Sequence, residues 1–434
     1  MHVPMRAERA MHSMTKRNNI IAGLLLVLLG TVTVFAENGM NSPYTRFGIG
    51  QLNVPQLGAS RAMGGTGIGM RSVNQINMLN PASYSTVDTL TFILDMGCSL
   101  QNTNFSENDV RRNARNATFD HLAVQYRLRP HLGMTMAYLP YSSVGYSYQT
   151  KESLFTDEDG TVTTTNKYEG EGGLQQIAVG LGWRPFKWLA VGGNVNYFYG
   201  YLQHKVENQY NVSTIDSRTK IYSAEFNAIG YDLGAQLAFS NKKNRFIAGV
   251  TYSPSTSLGK RKPYAIDYVI SNNIAASSDT LPYGHLSRPE SYGAGFSYAG
   301  EHITVAADAS LKRFGSALFF GQSGLDSYRA SLGVEYRPTY NGHHFFKSMA
   351  YRAGAYYSST YFNIDGTPGP DEFGASVGVA IPIINGWNQR STVSISGQYI
   401  HAQQAAKGMI AENYLRLNVG ITFIEDWFTK WRVN

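Results

Sequence analysis

Segments of about ten residues in which every second side chain is apolar recur along this chain. In residues 414–423 the apolar positions are Leu415, Leu417, Val419, Ile421 and Phe423. Polar residues such as Arg416 and Asn418 occupy positions between them. Successive side chains of a strand point to opposite faces, so each segment predicts a strand with one apolar and one polar face. About 14 such segments lie between residues 89 and 424, within the range of single-chain membrane barrels.

The connections between these segments alternate in length. Short ones contain tight-turn residues, as at Arg129-Pro130 and in residues 241–244, whereas long ones are polar, as in residues 101–117 and 254–289. This alternation is typical of outer-membrane barrels, whose tight turns lie in the periplasm. We therefore predict an all-β fold, a transmembrane antiparallel β-barrel of about 14 strands in the cell outer membrane. An even strand count predicts that both termini are periplasmic.

Composition agrees with a membrane barrel. Charged residues make up 15% of the chain, below the roughly 25% of soluble domains. The formal charge is +7, but Arg6, Arg9, Lys16 and Arg17 against Glu8 place +3 before residue 37, which leaves +4 for the remainder. So small an excess does not predict a nucleic-acid partner. The single cysteine, Cys98, excludes a disulfide framework and a cysteine metal cluster.

The first 36 residues have the features of a secretory signal peptide. Lys16-Arg17 precede the apolar run 20–29, and Val34-Phe35-Ala36 offers small residues at the positions that a signal peptidase reads. The alternative is a retained anchor, although the apolar run is short for a membrane core of about 30 Å. The residue directly after the predicted cleavage site is Glu37 and not a cysteine, so we do not expect a lipoprotein.

Residues 37–88 show no strand alternation and are rich in Gly, Asn, Ser and Pro. A segment of this length needs a packing partner, and the lumen of the barrel provides the volume. We therefore predict that residues 37–88 form a plug. Its motif residues are Gly64, Gly65, Gly67, Gly69, Asn80 and Pro81. A phosphate-binding loop is the alternative, but no Lys-Ser/Thr pair follows the glycines.

The predicted inner faces of the strands carry charges. We expect these side chains to form a polar network in the lumen that holds the barrel and the plug, with a polar-solute site as the alternative. The network residues are His121, Arg127, Asp308, Glu335, Arg352 and Arg416.

The stretch from Gly58 to Ala82, with its glycines and its Asn-Pro-Ala motif, resembles the FadL/TodX family of outer-membrane channels for hydrophobic compounds. The resemblance implies a 14-stranded barrel with an N-terminal plug, and a third strand whose kink opens the wall laterally. Pro140 lies inside the predicted third strand and cannot donate a ladder hydrogen bond. We therefore propose a lateral opening from Pro140 to Gly145, with a bulge or a position at the membrane rim as the alternative.

The C-terminus departs from that family, whose members generally end at an aromatic residue of the last strand. Here residues 425–434 follow, with Trp427, Phe428 and Trp431 beside basic residues. This tail is predicted to be a periplasmic membrane anchor or a docking peptide.

The leading functional prediction is passive transport of hydrophobic, fatty-acid-like small molecules with lateral release into the membrane lipid. The alternative is an accessory barrel of an outer-membrane assembly or secretion complex, acting through protein contacts. No enzyme is predicted: the pair His343-His344 has no third ligand nearby, and no catalytic arrangement, metal site or cofactor motif is evident.

Overall fold

The fold is described from a computed structural model. It covers residues 41–89, 91–107, 110–157, 160–212, 216–241, 243–259, 263–269, 274–280, 286–314, 318–319, 322–338, 345–364, 366–383, 390–404, 406 and 409–426. The predicted signal peptide and residues 37–40 of the predicted plug lie outside these residues. So do His343-His344 and the tail residues Trp427, Phe428 and Trp431.

Fourteen long strands form one closed antiparallel barrel, which confirms the predicted fold class. We number them in chain order: β1 Thr91–Glu107, β2 Val110–Arg129, β3 Leu132–Asp157, β4 Gly160–Trp183, β5 Leu189–Tyr210, β6 Arg218–Ser240, β7 Arg245–Ser253, β8 Glu290–Ala299, β9 Ile303–Arg313, β10 Ser327–Tyr336, β11 Ala350–Ser358, β12 Asp371–Pro382, β13 Thr392–Gln403 and β14 Ala411–Asp426. Each strand pairs with the next, and β14 pairs with β1 to close the sheet.

The alternation of side chains matches the prediction. On β14, Leu415 and Leu417 are 58% and 45% exposed on the outer face, whereas Asn418 and Thr422 are buried on the inner face. The apolar side chains thus form the lipid-facing surface and the polar ones face the lumen. β14 runs through Asp426, so the first two residues assigned to the tail belong to the barrel.

Residues 101–117, predicted as a long polar loop, are almost entirely strand instead. Residues 101–107 extend β1 and residues 110–117 extend β2, so the connection is only residues 108–109. Likewise β3 and β4 run to within two residues of each other. Both faces of these extensions are polar, so they show no apolar alternation, although Thr, Asn and Ser pair readily across strands. The wall of the barrel is therefore taller on the side of these strands, which we call the tall wall: β3 has 26 residues, whereas β7 has nine.

The remaining elements are short. They are the 3-10 helices Pro43–Arg46 and Pro81–Thr86, the α-helices Gly58–Arg61 and Phe345–Ser348, and the strands Gln51–Leu52, Thr256–Ser257, Tyr264–Val269, Ile274–Thr280, Ser287–Arg288, Leu318–Phe319, Gln322–Ser323, Asn363–Ile364 and Thr367–Pro368. Tyr264–Val269 pairs with β6 and with Ile274–Thr280, which extends the tall wall. Within the described residues, no helix is long and apolar enough to cross a membrane.

The end of the barrel with tight turns also carries two longer connections, residues 337–349 and 383–391. The described chain begins at Asn41, beside Asn116 in the half of the barrel with the long hairpins. It ends at Asp426, at the tight-turn end beside Thr91. The two ends of the described chain therefore lie toward opposite ends of the barrel.

Candidate functional site

The ladder between β2 and β3 is incomplete. Pairing runs from Arg129 and Leu132 at the turn to Leu122 and Tyr138. Beyond this last pair, β2 continues its ladder with β1 and β3 continues its ladder with β4, but the described residues include no further β2–β3 pair. The barrel wall therefore has a gap in its hydrogen bonding on one side of Pro140, two residues past the last pair.

A bulge in β3 accompanies this gap. The pairing with β4 shifts by one residue between Pro140 and Ser142. As a result the buried positions change from odd to even numbers: Leu139 faces inward before the bulge, and Ser142 and Val144 do so after it. A bulge bends the strand that carries it and increases its twist. β3 can thus follow β4 while leaving β2.

Glycines on β4 and β5 accommodate the bulge. Gly173 has φ of +147° and would place a Cβ 2.4 Å from the carbonyl oxygen of Ser142. Gly200 has φ of +145° and would place one 2.2 Å from the carbonyl oxygen of Gly173. Side chains rarely adopt these backbone angles, and here they would also clash. The irregularity therefore extends over three adjacent strands.

The N-terminal segment, which we define as residues 41–89, occupies the free edge of β3. Gln51–Leu52 pairs antiparallel with Ser142 and Ser143. The amide of Gly145 donates to Thr45 Oγ1 at 3.2 Å. On the other side of the gap, Asn41 Nδ2 donates to Asn116 Oδ1 of β2 at 2.6 Å. The beginning of this segment thus touches both sides of the gap.

A cavity of about 560 Å³ leads inward from the gap. Its lining includes Ala117–Asp120 of β2 and Tyr138–Pro140 of β3, which are the two sides of the gap. It also includes Arg416 of β14, which is the neighbour of β1, and Arg329 of β10, which lies in the opposite part of the barrel. The volume falls within the range of small-molecule sites, roughly 300–1,000 Å³.

A second cavity of about 240 Å³ lies against the same stretch of the N-terminal segment. Gln51–Leu52 and Arg329 line both cavities. Many residues that line the second one carry hydroxyl groups, and its cationic residues are Lys312 and Arg329. The charged groups that act on Lys312 are the guanidinium groups of Arg329 and Arg288. Asp308, Glu372 and Glu412 also line this cavity, so an anionic group is favoured at its Lys312 end and not throughout it.

Apolar side chains fill the lumen beside the second cavity. Tyr361 is central to this cluster: its ring stacks on Phe314 at 4.6 Å, and its hydroxyl donates to the carbonyl of Gly50. Burial raises the pKa of the Tyr361 phenol, which keeps it a donor. The buried members of the cluster are Ile49, Val144, Tyr146, Leu174, Phe198, Leu202, Ala224, Phe226, Ala228, Leu258, Leu286, Phe314 and Tyr361.

The rest of the N-terminal segment lies directly on the inner wall. Inward-facing glycines, one on each of eight strands, contact its backbone or side chains so closely that an added Cβ would come within 3 Å of them. Only glycine permits so close an approach of two backbones. We call these residues the glycine belt: Gly133, Gly182, Gly192, Gly234, Gly249, Gly333, Gly354 and Gly378.

The predicted motif glycines meet the predicted lumen residue Asp308 and a second lumen residue, Arg329. Asp308 Oδ2 accepts the amides of Gly67 and Ile68 at 2.6 and 2.9 Å. The guanidinium of Arg329 donates to the carbonyl of Gly64 at 3.2 Å. A carboxylate that accepts two backbone amides is a strong anchor, because each bond is charge-assisted. Asp308 therefore fixes the glycine turn to β9.

Other predicted motif residues also contact the wall. Gly65 lies against Arg329 and Gln56, and Gly69 lies against Gly295 of β8. The side chain of Asn80 caps the helix that Pro81 begins. Asn80 Nδ2 also donates to the carbonyl of Ile68 at 2.9 Å. The glycine turn and the Asn-Pro motif, which are separate in sequence, are thus bonded to each other.

The remaining predicted lumen residues form separate local pairs. His121 Nε2 lies 2.5 Å from Asp95 of β1. Arg352 bonds Glu335 at 2.7 Å, the one direct pair among the six predicted network residues in the described structure. Arg416 donates to Gln101 at 2.9 Å. Arg127 is at the tight-turn end, bonded to Thr89 at 2.5 Å.

Sequence reasoning missed several residues of the site. Asp308, Ser310 and Lys312 occupy alternate positions of β9. Because alternate side chains of a strand point to the same face, the sequence could have predicted that Lys312 points into the lumen. The ion pair of Asp232 and Arg288 could not be predicted from the sequence, because it joins β6 to the long connection that follows β7. Such contacts depend on where the connection returns into the lumen.

Solved structures with this architecture are known. The Pseudomonas putida toluene transporter TodX matches with a TM-score of 0.60 and 14% identity, covering 86% of this chain and 99% of that one. The Ralstonia pickettii toluene transporter TbuX matches with a TM-score of 0.56 and 14% identity, covering 85% and 97%. A Pseudomonas aeruginosa FadL homologue matches with a TM-score of 0.55 and 10% identity, covering 87% and 99%. At these identities the similarity establishes the FadL/TodX-type fold alone.

No curated protein matches the sequence. The family profile described as BamG matches residues 14–434, which is nearly the whole chain. This chain, a FadL/TodX-type barrel with an interrupted third-strand ladder, therefore belongs to the BamG family.

Proposed function

We propose that this barrel lies in the outer membrane with its tight turns in the periplasm and passes hydrophobic small molecules through the gap between β2 and β3. The observation that carries the proposal is the end of the ladder at Leu122 and Tyr138, beside a cavity of about 560 Å³. Transport is passive in this proposal, driven by partition of the ligand into lipid. The proposed exit includes Pro140 and Gly145.

The N-terminal segment supports a lateral path over an axial one. It contacts the inner wall along the glycine belt, and Asp308 holds its turn. We propose that it acts as a plug, so a ligand that enters from the long-hairpin end leaves sideways. Displacement of the whole segment would break many backbone contacts at once, whereas the gap is closed by few hydrogen bonds.

The lining indicates an amphipathic ligand of the fatty-acid type. Lys312 would bind an anionic head group, and the apolar cluster around Tyr361 would contact the chain. A carboxylate in this cavity would offset the mutual repulsion of Lys312, Arg329 and Arg288. The TodX and TbuX titles name toluene as the transported compound of those proteins. Hydrophobic ligands are thus compatible with this fold.

Uptake through a blocked gap tests the proposal. In a Cys98→Ser background, Ala117→Cys is labelled with a bulky maleimide, and uptake of a fluorescent long-chain fatty acid is measured in cells that lack the unmodified protein. Ala117 lines the gap cavity, so we expect labelling to reduce uptake several-fold. The control is Val377→Cys, 64% exposed on the lipid-facing surface of β12. Equal uptake by both labelled variants would contradict lateral passage.

A second proposal is that the barrel is an accessory component of an outer-membrane assembly or secretion complex. The observation that favours it is the edge of β2 from Val110 to His121, which forms no ladder with β3. Such an edge can pair with a strand of another protein. Purification in mild detergent distinguishes the proposals. One stoichiometric protein partner, lost when Asn113→Pro interrupts this edge, supports the complex, whereas a free barrel with bound lipid supports transport.

A further inference from the structure

β2 has a bulge of its own, opposite the bulge of β3. The pairing of β2 with β1 skips Asp120, which is therefore the extra residue of this bulge. Continued in the same register beyond its last pair, the β2–β3 ladder would place Asp120 opposite Pro140. The gap thus begins at the level where both strands are irregular.

The bulge determines which way the Asp120 side chain points. Leu122 is 39% exposed on the lipid-facing side of β2. Without the extra residue, Asp120 would follow two positions away on the same face. A carboxylate on that face would be destabilising, because charged groups are costly in the membrane. With the bulge, Asp120 and His121 are both buried on the lumen side.

In the lumen, Asp120 is bonded to the N-terminal segment. Its Oδ2 lies 3.0 Å from Nη1 of Arg61, which is the last residue of the short α-helix in that segment. Asp120 Oδ1 accepts from Ser99 at 2.9 Å, and Arg61 Nη1 also donates to Asn418 at 3.0 Å. Both charged side chains are only 10% exposed. Removal of either charge would leave the other buried without its counter-ion, which is strongly unfavourable.

The N-terminal segment therefore contacts the two edges of the gap at different points. Gln51–Leu52 pairs with β3, whereas Arg61 bonds the bulge of β2. Arg61 and Asp120 both line the gap cavity. The segment is itself seated on the glycine belt, so the position of Arg61 relative to the wall is fixed.

We propose that Arg61 and Asp120 are positioning residues of the gap. Their ion pair stabilises the bulge of β2, and through it the N-terminal segment sets the width of the opening. When the pair is broken, the bulge loses the contact that keeps Asp120 in the lumen. The β2 edge from Val110 to His121 then occupies several positions, some of them closer to β3. The consequence for uptake rests on the proposed function, whereas the effect on the shape of the wall does not.

Distances across the gap test the proposal. In a Cys98→Ser background, spin labels are attached to the full barrel at Ala117→Cys of β2 and at Ser147→Cys of β3, an exposed position. Double electron–electron resonance then gives the distribution of distances between the labels. We expect one narrow distribution with the ion pair intact. Arg61→Gln should broaden it and add a population at shorter distance.

The matched control is Arg71→Gln. Arg71 is also a buried arginine of the N-terminal segment, and it donates to Gln236 of β6 at 2.7 Å, away from the gap. This variant removes an equally buried guanidinium but leaves the β2 bulge untouched. Its distance distribution should therefore equal that of the unmodified protein.

Further variants distinguish the ion pair from a general loosening of the segment. Asp120→Asn should broaden the distribution as Arg61→Gln does. The double variant Arg61→Gln/Asp120→Asn should broaden it no further than either single variant, because the two side chains act as one pair. Arg61→Lys keeps the charge and should give a distribution closer to that of the unmodified protein.

The proposal is wrong if Arg61→Gln leaves the distribution unchanged, or if Arg71→Gln broadens it equally. Fatty-acid uptake is measured separately on the same variants without labels. A gap that responds as predicted while uptake stays the same would contradict the transport proposal and leave the positioning role of Arg61 and Asp120 intact.

Discussion

Replacing Gly354 with alanine would insert a methyl group into the backbone of the N-terminal segment. The added Cβ would lie 2.1 Å from the carbonyl carbon of Met63 and 2.3 Å from the amide nitrogen of Gly64. Both are backbone atoms, so rotation of a side chain cannot relieve the contact. The segment must move away from β11, or β11 must move outward in the barrel.

The size of the effect follows from a matched comparison with Gly397. Overpacking a well-packed site costs about 1–3 kcal/mol, whereas alanine in a strand is favoured over glycine by roughly 0.5–1 kcal/mol. A Cβ at Gly397 meets no atom within 4 Å, so Gly397→Ala gains only the second term. Gly354→Ala should therefore be about 1–3 kcal/mol less stable than Gly397→Ala.

Two assays measure this difference. Denaturant unfolding in detergent, followed by tryptophan fluorescence, gives the relative free energies of unfolding. Native-state hydrogen exchange then shows whether amides of residues 58–71 lose protection selectively, as expected if the segment rather than the wall yields. Equal stability and equal protection in the two variants would refute the close seating of the segment on the glycine belt.

Three further predictions concern the anchor, the bulge and the cavity. Asp308→Asn weakens two charge-assisted bonds to Gly67 and Ile68, so exchange protection of those amides should fall by an amount equivalent to about 1–3 kcal/mol, while protection of β9 itself is kept. Gly173→Ala forces a positive φ and a clash with Ser142, and should lower the free energy of unfolding by about 1–3 kcal/mol relative to Gly193→Ala, whose Cβ has no neighbour closer than 3.5 Å; equal stability would contradict the described bulge. Lys312→Gln should weaken binding of a medium-chain carboxylate roughly tenfold and leave the alcohol of the same length unaffected, as measured by calorimetry in detergent; an equal loss for both ligands would argue against a head-group role.

The strand pattern of the barrel was predictable because one face of each strand meets lipid. Leu122, Val124 and Leu128 alternate with polar residues for that reason, and all 14 predicted strands are present. The long-hairpin halves of β1 and β2 were not recognised, because polar residues occupy both of their faces. Residues 101–107 were therefore predicted to form a loop, although in the structure they belong to β1 and pair with β2 and β14.

The site was predictable in its parts but not in its connections. The glycine motif and Asp308 were each identified from sequence, but their hydrogen bonds join residues 241 positions apart. Pro140 indicated an irregular third strand. The gap itself is the absence of pairing between two strands, and the sequence pattern of one strand cannot show which of its edges is left without a neighbouring strand.

Stapling the gap tests lateral passage most directly. In a Cys98→Ser background, cysteines at Ala117 and Ser143, which line the cavity from β2 and β3, are joined by a cleavable bifunctional thiol reagent. We predict that fatty-acid uptake is lost while the two strands are joined and returns when the reagent is cleaved, with each single-cysteine protein losing less uptake than the stapled barrel under the same treatment. Uptake that continues at the original rate through the stapled barrel would contradict passage through this gap.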